Sequence, residues 1–404
     1  MIRCATGAAT GASVETVVDE ALEEARAKFR NMGVIPRLAL VFVSPRFELT
    51  QALRKFNSQL PDVETVGCTT AGELTELGLT VGGLSVMLLG GSGLRFATNY
   101  ARKLVSPSKL IATGASRPVQ TLTNSLCDSQ ISTLPKNGRI SSLLLTDGLS
   151  VLGEAMVDEI SRGTSATHEL CGGGAADESS FNRAEIGTST VGAFSNGAVA
   201  VNFSSSSHWG IGASNGFSCT TGLVSATRTN GNVVYELDSR PAFEVYRERA
   251  MQAGFDVQSD EASPFMMGNP LGLVVFGQLR AIRIPFKVLE NGGLVCTGTV
   301  PQGASTCFLE TRPNALTSSA KEAASTARAR LGKQRAAGVL VFESVVRRLP
   351  QGHGYGNTLQ QVRAHFPDTP IAGFLSFGEV ARYSGTLEGW RDGSVVVAAI
   401  PDCP

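Results

Sequence analysis

Three stretches of the chain follow one plan. "GCTTAGE" at 67–73, "GGGAADE" at 172–178 and "GFLSFGE" at 373–379 each open with Gly and close with Glu through mostly small residues. Their flanks repeat as well. Ahead of the first lies "LALVFVS" (38–44), a continuous apolar run that suits a strand buried on both faces. "FELTQALRKFNSQL" follows, with Leu49, Leu53, Phe56 and Leu60 at helical spacing, and "GLSVMLLG" (83–90) comes after the turn. The second copy has "SLLLTDG" (142–148), a helix around "EAMVDEIS", the turn, and "GAVAVNF" (197–203). The third has "GVLVFES" (338–344), a helix from about Thr358 to Phe366, the turn, and "GSVVVAAI" (393–400). Each copy reads strand, helix, Gly-turn-Glu, strand. This recurrence predicts an α+β (mixed α/β) protein of layered sheets with flanking helices, built from repeated strand–helix–strand–strand units. Irregular spacing excludes a solenoid.

A different block separates the second and third copies. "GNVVYELDSRPAFEVYRERAMQAGF" predicts a short strand and a helix starting near Pro241, a residue suited to a first helical turn. "LRAIRIPFKVLENGGLVCTGTVPQGASTCFLE" alternates strands around an Asn-Gly turn at 291–292. An Ala-rich helix from about Leu316 to Leu331 leads into the third copy. A boundary is expected near residue 230, in "TRTNGN". Residues 1–230 then hold two repeat units, and 231–404 hold one unit plus the block.

Composition narrows the function classes. The 404 residues are 42% hydrophobic and 17% charged, the balance of a packed globular protein. Lys+Arg and Asp+Glu stand at 35 each, so net charge makes no case for nucleic acid or an anionic membrane surface. The eight cysteines (4, 68, 127, 171, 219, 296, 307 and 403) include no CxxC pair, which argues against zinc ribbons and thioredoxin-like sites. Scattered in this way they read as reduced thiols, and with neither a signal-peptide pattern nor a membrane-length apolar run the expected location is cytoplasmic.

In order along the chain, "LALVFVS", "VGCTTAGEL", "LCGGGAADESSF", "VYELDSRPAFEVY", "GGLVCTGTVPQGAS" and "IAGFLSFGEV" resemble the successive signatures of FIST proteins, from about residue 35 to the end. The resemblance implies an N-terminal and a C-terminal FIST domain forming a sensory module for small ligands, with amino acids as proposed ligands. It also implies, from some bacterial relatives, haem binding and nitric-oxide signalling with a histidine kinase as partner. Eukaryotic relatives carry the module behind an F-box, for which the residues before 35 leave no room. Many members place a Cys after the strand read here as "GVLVFES", followed by Gly-Arg. Ser344 stands at that Cys position, and Val346-Arg347 replaces the pair.

Small-residue turns let backbone approach a ligand, and their N–H groups can form an anion-receiving concavity. The candidate ligand-binding set is therefore Gly67, Cys68, Thr69, Thr70 and Glu73; Gly172, Gly173, Gly174 and Asp177; and Ser376, Gly378 and Glu379. The closing carboxylates (Glu73, Asp177 or Glu178, Glu379) either receive a ligand ammonium or fix the turn by accepting backbone N–H groups. The triple glycine lacks the Gly-Lys-Ser/Thr ending of a phosphate loop. "GASNG" (212–216) matches the nucleophile-elbow pattern at Ser214, but no helical pattern follows, so a hydrolase using Ser214 or Cys68 is the enzyme alternative. A protein-interaction scaffold without ligand is a further one. None of His168, His208, His353 and His365 has zinc-site spacing. For haem, His208 beside Trp209 is the preferred axial candidate, and covalent attachment is excluded for want of CxxCH. Cys403-Pro404 resembles a haem-regulatory pair at an end expected to be mobile.

Overall fold

A computed structural model describes residues 1–102, 139–150, 152–178, 180–220, 222–256, 264–348, 356–384 and 389–403. The chain opens with β1 (Arg3–Thr10), α1 (Val14–Arg30), β2 (Pro36–Val43), α2 (Leu49–Gln59) and β3 (Glu64–Thr69), then a short hairpin of β4 (Glu73–Thr75) and β5 (Gly78–Thr80), then β6 (Gly83–Gly90). The plan returns in β7 (Phe96–Ala101), β8 (Arg139–Asp147), α3 (Gly153–Gly163), β9 (Glu169–Ala175), the hairpin β10 (Ile186–Thr188) and β11 (Gly192–Phe194), and β12 (Ala198–Ser205).

A third round begins with β13 (Gly210–Ser214) and is interrupted by the separate block. That block holds β14 (Phe217–Cys219), β15 (Val224–Ser225), β16 (Arg228–Asn230), β17 (Val233–Leu237), β18 (Arg240–Pro241), α4 (Ala242–Gln252), α5 (Pro264–Gly268), β19 (Leu271–Val275), β20 (Gln278–Arg283), β21 (Pro285–Val288), β22 (Leu294–Cys296) and β23 (Ser305–Thr311). The round resumes with α6 (Pro313–Leu331), β24 (Ala336–Ser344), α7 (Asn357–His365), β25 (Ile371–Ser376), the hairpin β26 (Glu379–Arg382) and β27 (Trp390–Arg391), and β28 (Val395–Pro401).

Local chemistry sets these elements. Ser13 caps α1 by accepting the Thr16 N–H at 3.2 Å, and Val14, Val17, Val18, Ala21, Leu22, Ala25 and Phe29 form its buried face. Pro313 opens α6, and Gly332, at φ 66°, follows its last residue.

Three six-stranded sheets result, in the orders β1-β6-β2-β3-β10-β11, β7-β12-β8-β9-β26-β27 and β13-β28-β24-β25-β4-β5. Each sheet has four strands of its own round and is completed by the hairpin of another round. The first hairpin joins the third sheet, the second joins the first, and the third joins the second. One parallel pair lies at each centre, with Val43 opposite Thr69, Asp147 opposite Ala175 and Ser344 opposite Ser376.

The chain crosses between sheets at the small-residue turns, where the three turns bond one another. Ala71 N–H donates to Leu375 O (3.1 Å), Phe377 N–H to Gly174 O (3.1 Å) and Ala176 N–H to Thr69 O (3.0 Å). Inner faces of all three sheets share one core that includes Leu40, Phe42, Leu143, Leu145, Leu340, Phe342 and Phe374. Alternate residues of β2 (Ala39, Val41, Val43) pack outward on α1 and α2, and Val339 and Val341 of β24 pack beneath α6 and α7. That double burial is the reason these strands read as unbroken apolar runs.

Two expectations are corrected. Cys219 and Cys307 form a disulfide, because β14 and β23 pair antiparallel across a sequence separation of 88 that no close spacing could announce. Cys4, Cys68, Cys171, Cys296 and Cys403 are free and buried. Cys403, expected to be mobile, is 2% exposed, with its N–H bonded to Pro401 O. Cys127, His353 and Pro404 lie outside the described residues. No helix among the described residues is long and apolar enough to cross a membrane.

Candidate functional site

The opening glycine of each turn sits where a side chain cannot. A methyl group placed on Gly67, Gly172 or Gly373 would lie 2.4, 1.9 or 1.8 Å from the carbonyl oxygen of Val41, Leu144 or Val341, on the neighbouring parallel strand. Beyond it, Cys68 is part of the central core, and the Thr69 hydroxyl accepts the Glu185 N–H at 3.0 Å. Gly173 and Gly174 carry β9 into the seam, where Gly174 N–H donates to Gly378 O.

The closing carboxylates fix the turns. Glu73 accepts the Thr70 hydroxyl at 2.6 Å and the Gly83 N–H at 3.2 Å. Burial pushes its carboxyl up to about 7 against those two hydrogen bonds, and nearby Glu178 adds to the rise. Glu379 accepts the Ser376 hydroxyl at 2.8 Å and the Ser394 N–H at 2.9 Å, and burial holds it well above the usual carboxylate range. In the second turn Ala175 offers no hydroxyl, and Glu178 reaches instead to Ser44 (2.6 Å) and Arg46 (3.1 Å). Asp177 gathers Ser180 Oγ and the N–H groups of Phe181, Asn182 and Arg183 at 2.7–3.0 Å. Burial would raise its carboxyl, but these donors outweigh it and hold the group below its ordinary value.

Asp177 thereby sets Phe181, at φ 52°, into the wall of a cavity of about 50 Å³. Three parts of the chain meet there. Gly148, Leu149 and Ser150 follow β8; Met267, Ile284, Phe286 and Thr297 come from the inserted block; Ser344–Val346, Ser376–Gly378 and Asp392 belong to the third round. The rings of Phe181 and Phe377 stack at 4.8 Å, and Phe286 continues the stack at 6.1 Å from Phe181. Two polar groups stand out on this apolar wall. The Ser344 hydroxyl has no hydrogen-bond partner among the described residues, although Ser344 is 2% exposed. Asp392 is buried, and burial pushes its carboxyl up to about 6 against the pull of Arg283. Arg283, itself buried, lies 3.5 Å from Asp392 and 2.6 Å from Glu154 in the first turn of α3. An apolar wall with a free hydroxyl and a carboxylate suits a small organic ligand that carries a hydrogen-bonding or cationic group.

Of the sequence-predicted residues, Ser376 and Gly378 line the cavity; Gly67, Cys68, Thr69, Thr70, Glu73, Gly172, Gly173, Gly174, Asp177 and Glu379 do not. Burial, reinforced by Glu73, raises the Cys68 thiol, the opposite of an activated nucleophile. Ser214 donates to Glu322 at 2.8 Å at the end of β13, and β14 follows it, so no strand-to-helix elbow forms. His208 Nδ1 lies 3.0 Å from Glu169, whose carboxylate also meets Arg330. His168 is buried against Ser142 at 2.7 Å, and burial, with Arg382, lowers its ring to about 4. Among the described residues no His/Cys/Asp/Glu cluster could hold a metal ion.

Sequence reasoning missed Asp392, Thr297, Phe181 and Phe286, and it noted Ser344 only as the residue at a Cys position. The signal available for Asp392 was its charge in "WRDGS", immediately before a fully apolar strand.

The FIST N domain family model matches residues 37–240, and the FIST C domain family model matches residues 242–382. No curated protein matches the chain. Among solved structures, the crystal structure of cyanuric acid hydrolase from A. caulinodans is similar at 10% identity over 100% of both chains, with a TM-score of 0.36.

Proposed function

The chain belongs to the FIST family, whose domains are sensory domains for small ligands in signal transduction, and from that membership we propose that the cavity holding Ser344 and Asp392 is its ligand site. The observation that carries the reading is the position of this cavity. Its lining comes from both matched regions, so an occupant touches the FIST N and FIST C parts together. The ligand class is amino-acid-like. An ammonium pairs with Asp392, the Ser344 hydroxyl receives an oxygen, and the Phe181–Phe377 stack covers the apolar part. Occupancy bears on the Asp392–Arg283–Glu154 line of charges, which joins the third round to the inserted block and to α3. The role is binding and signalling, without turnover.

A thermal-shift screen of the amino acids and simple amines tests this. A ligand at a hundred times its dissociation constant stabilises by about 2.7 kcal/mol. Asp392→Asn should remove most of the shift, and Ser344→Ala should weaken it. Absence of any stabilising amine, or an unchanged shift in both variants, would remove the site from consideration.

A further inference from the structure

The largest described cleft lies elsewhere. It has a volume of about 700 Å³ and sits where the start of β1, the end of α6 and the α7–β25 loop converge. Two further clefts, of about 360 and 430 Å³, continue it around that loop. Asp368 borders all three, Phe366 and Pro370 join the first to the second, and Arg363 joins the second to the third. Sharing these residues, the three clefts adjoin one another as one trough around the loop.

Its charge is one-sided, in a chain whose formal net charge is zero. Two of the six lysines and arginines on its walls are matched: Arg3 pairs with Asp402 at 2.8 Å, and Lys28 with Glu76 at 3.1 Å. Arg328, Lys333, Arg335 and Arg363 face a single remaining carboxylate, Asp368. Arg328 bonds the carbonyls of Gly332 and Gln334, as a cation at a helix C-terminus should. Lys333 and Arg335 lie just past the end of α6, and Arg363 lies in the last turn of α7. All three are exposed, and their side chains have no ion-pair or hydrogen-bond partner among the described residues. The trough also has a place in the fold. β24 runs from Ala336 at its rim to Ser344 in the cavity, and β25 starts just past Pro370 and ends at Ser376.

We propose that this trough docks an acidic segment of a partner protein, its carboxylates taken by Lys333, Arg335 and Arg363. Three adjoining clefts of about 700, 360 and 430 Å³ offer more room than a compact anion fills, which favours an extended polypeptide. Opposite charge along its wall supplies attraction that is screened by salt. The inference stands independently of the ligand reading, since it rests on charge and shape at the far end of the sheet.

Fluorescence anisotropy of the full chain with a labelled peptide of alternating Glu and Ser tests it. Affinity should fall about tenfold in the double variant Lys333→Gln, Arg335→Gln, several-fold in Arg363→Gln, and not at all in Arg54→Gln on α2. It should also weaken as salt rises from about 50 to about 300 mM. A peptide of alternating Lys and Ser should not bind, and the charge-reversed variant Lys333→Glu, Arg335→Glu should lose the acidic peptide. Three results would overturn the proposal: equal affinity in the double variant, equal loss in Arg54→Gln, or equal binding of the basic peptide. Displacement by inorganic phosphate or citrate beyond that of sodium chloride at equal ionic strength would also overturn it, in favour of a small-anion site.

Discussion

Glu73 and Glu379 hold matching places in two sheets, each buried and each gripping a hydroxyl three residues earlier and a backbone N–H at the entry to the last strand of its round, Gly83 or Ser394. A carboxylate there locks the turn but resists ionisation, since burial outweighs two donors. For Glu73 the folded value is about 7 against an ordinary 4.5. A raised folded value means that the folded state holds its proton more tightly than the unfolded chain. This group therefore contributes no penalty below about 4.5, and stability is lost as pH rises toward 7. The loss is on the order of 3 kcal/mol, screening aside. Urea unfolding from pH 4.5 to 8 should show Glu73→Gln more stable than the parent at the upper end and level with it at the lower. Parallel curves for the two proteins would contradict the assignment.

Gly373 faces the shortest of the three backbone approaches, and substitution there should be severe. Its methyl group would lie 1.8 Å from Val341 O, on backbone that cannot rotate away as a side chain could. Gly373→Ala should cost about 3 kcal/mol or more, or abolish folding. Gly268→Ala, with nothing within 4 Å, should change stability by well under 1 kcal/mol. Midpoints of urea unfolding compare the two, and a tolerated Gly373→Ala would remove the account of why these turns begin with glycine.

Part of this architecture was readable in advance. β2, β8 and β24 announce themselves as apolar runs because both faces are covered, and the turns announce themselves because backbone approach demands glycine. The destination of each hairpin was not readable. Glu73–Thr75 pairs with Ala372–Phe374, a partner that only the closed arrangement of three sheets supplies. The cavity was half readable for a related reason. Ser376 and Gly378 stand in a repeated motif, while Met267, Ile284, Phe286 and Thr297 arrive from a block whose docking left no local pattern.

Arg347 carries a positive charge at zero exposure, held by Glu343 (2.9 Å), Ser319 (3.1 Å), the Leu316 carbonyl (3.1 Å) and the Asn215 carbonyl. It ties the turn after β24 to the start of α6. Removing one member of a buried pair strands the other, so Arg347→Met should cost about 3–5 kcal/mol. Adding Glu343→Gln removes the stranded charge and should recover part of that loss. A double variant no more stable than Arg347→Met alone would mean that the carbonyl contacts, and not the ion pair, carry the effect.

Asp392 gives the ligand reading a pH signature. Its carboxyl, pushed by burial up to about 6, is protonated below that pH and charged above it. An ammonium ligand needs the charged form. Affinity should therefore rise with pH through about 6 and level off near 7, falling about tenfold per unit on the acid side, since each proton bound there competes with one ligand. Asp392→Asn should bind weakly and without this dependence. Trp390, two residues away and packed against Gly378 on the cavity wall, offers an intrinsic fluorescence report of occupancy. Titrations from pH 5 to 8 with a ligand from the amine screen make the measurement. Affinity that is flat across that range in the parent protein, or a slope that survives in Asp392→Asn, would assign the ligand's charge to another partner.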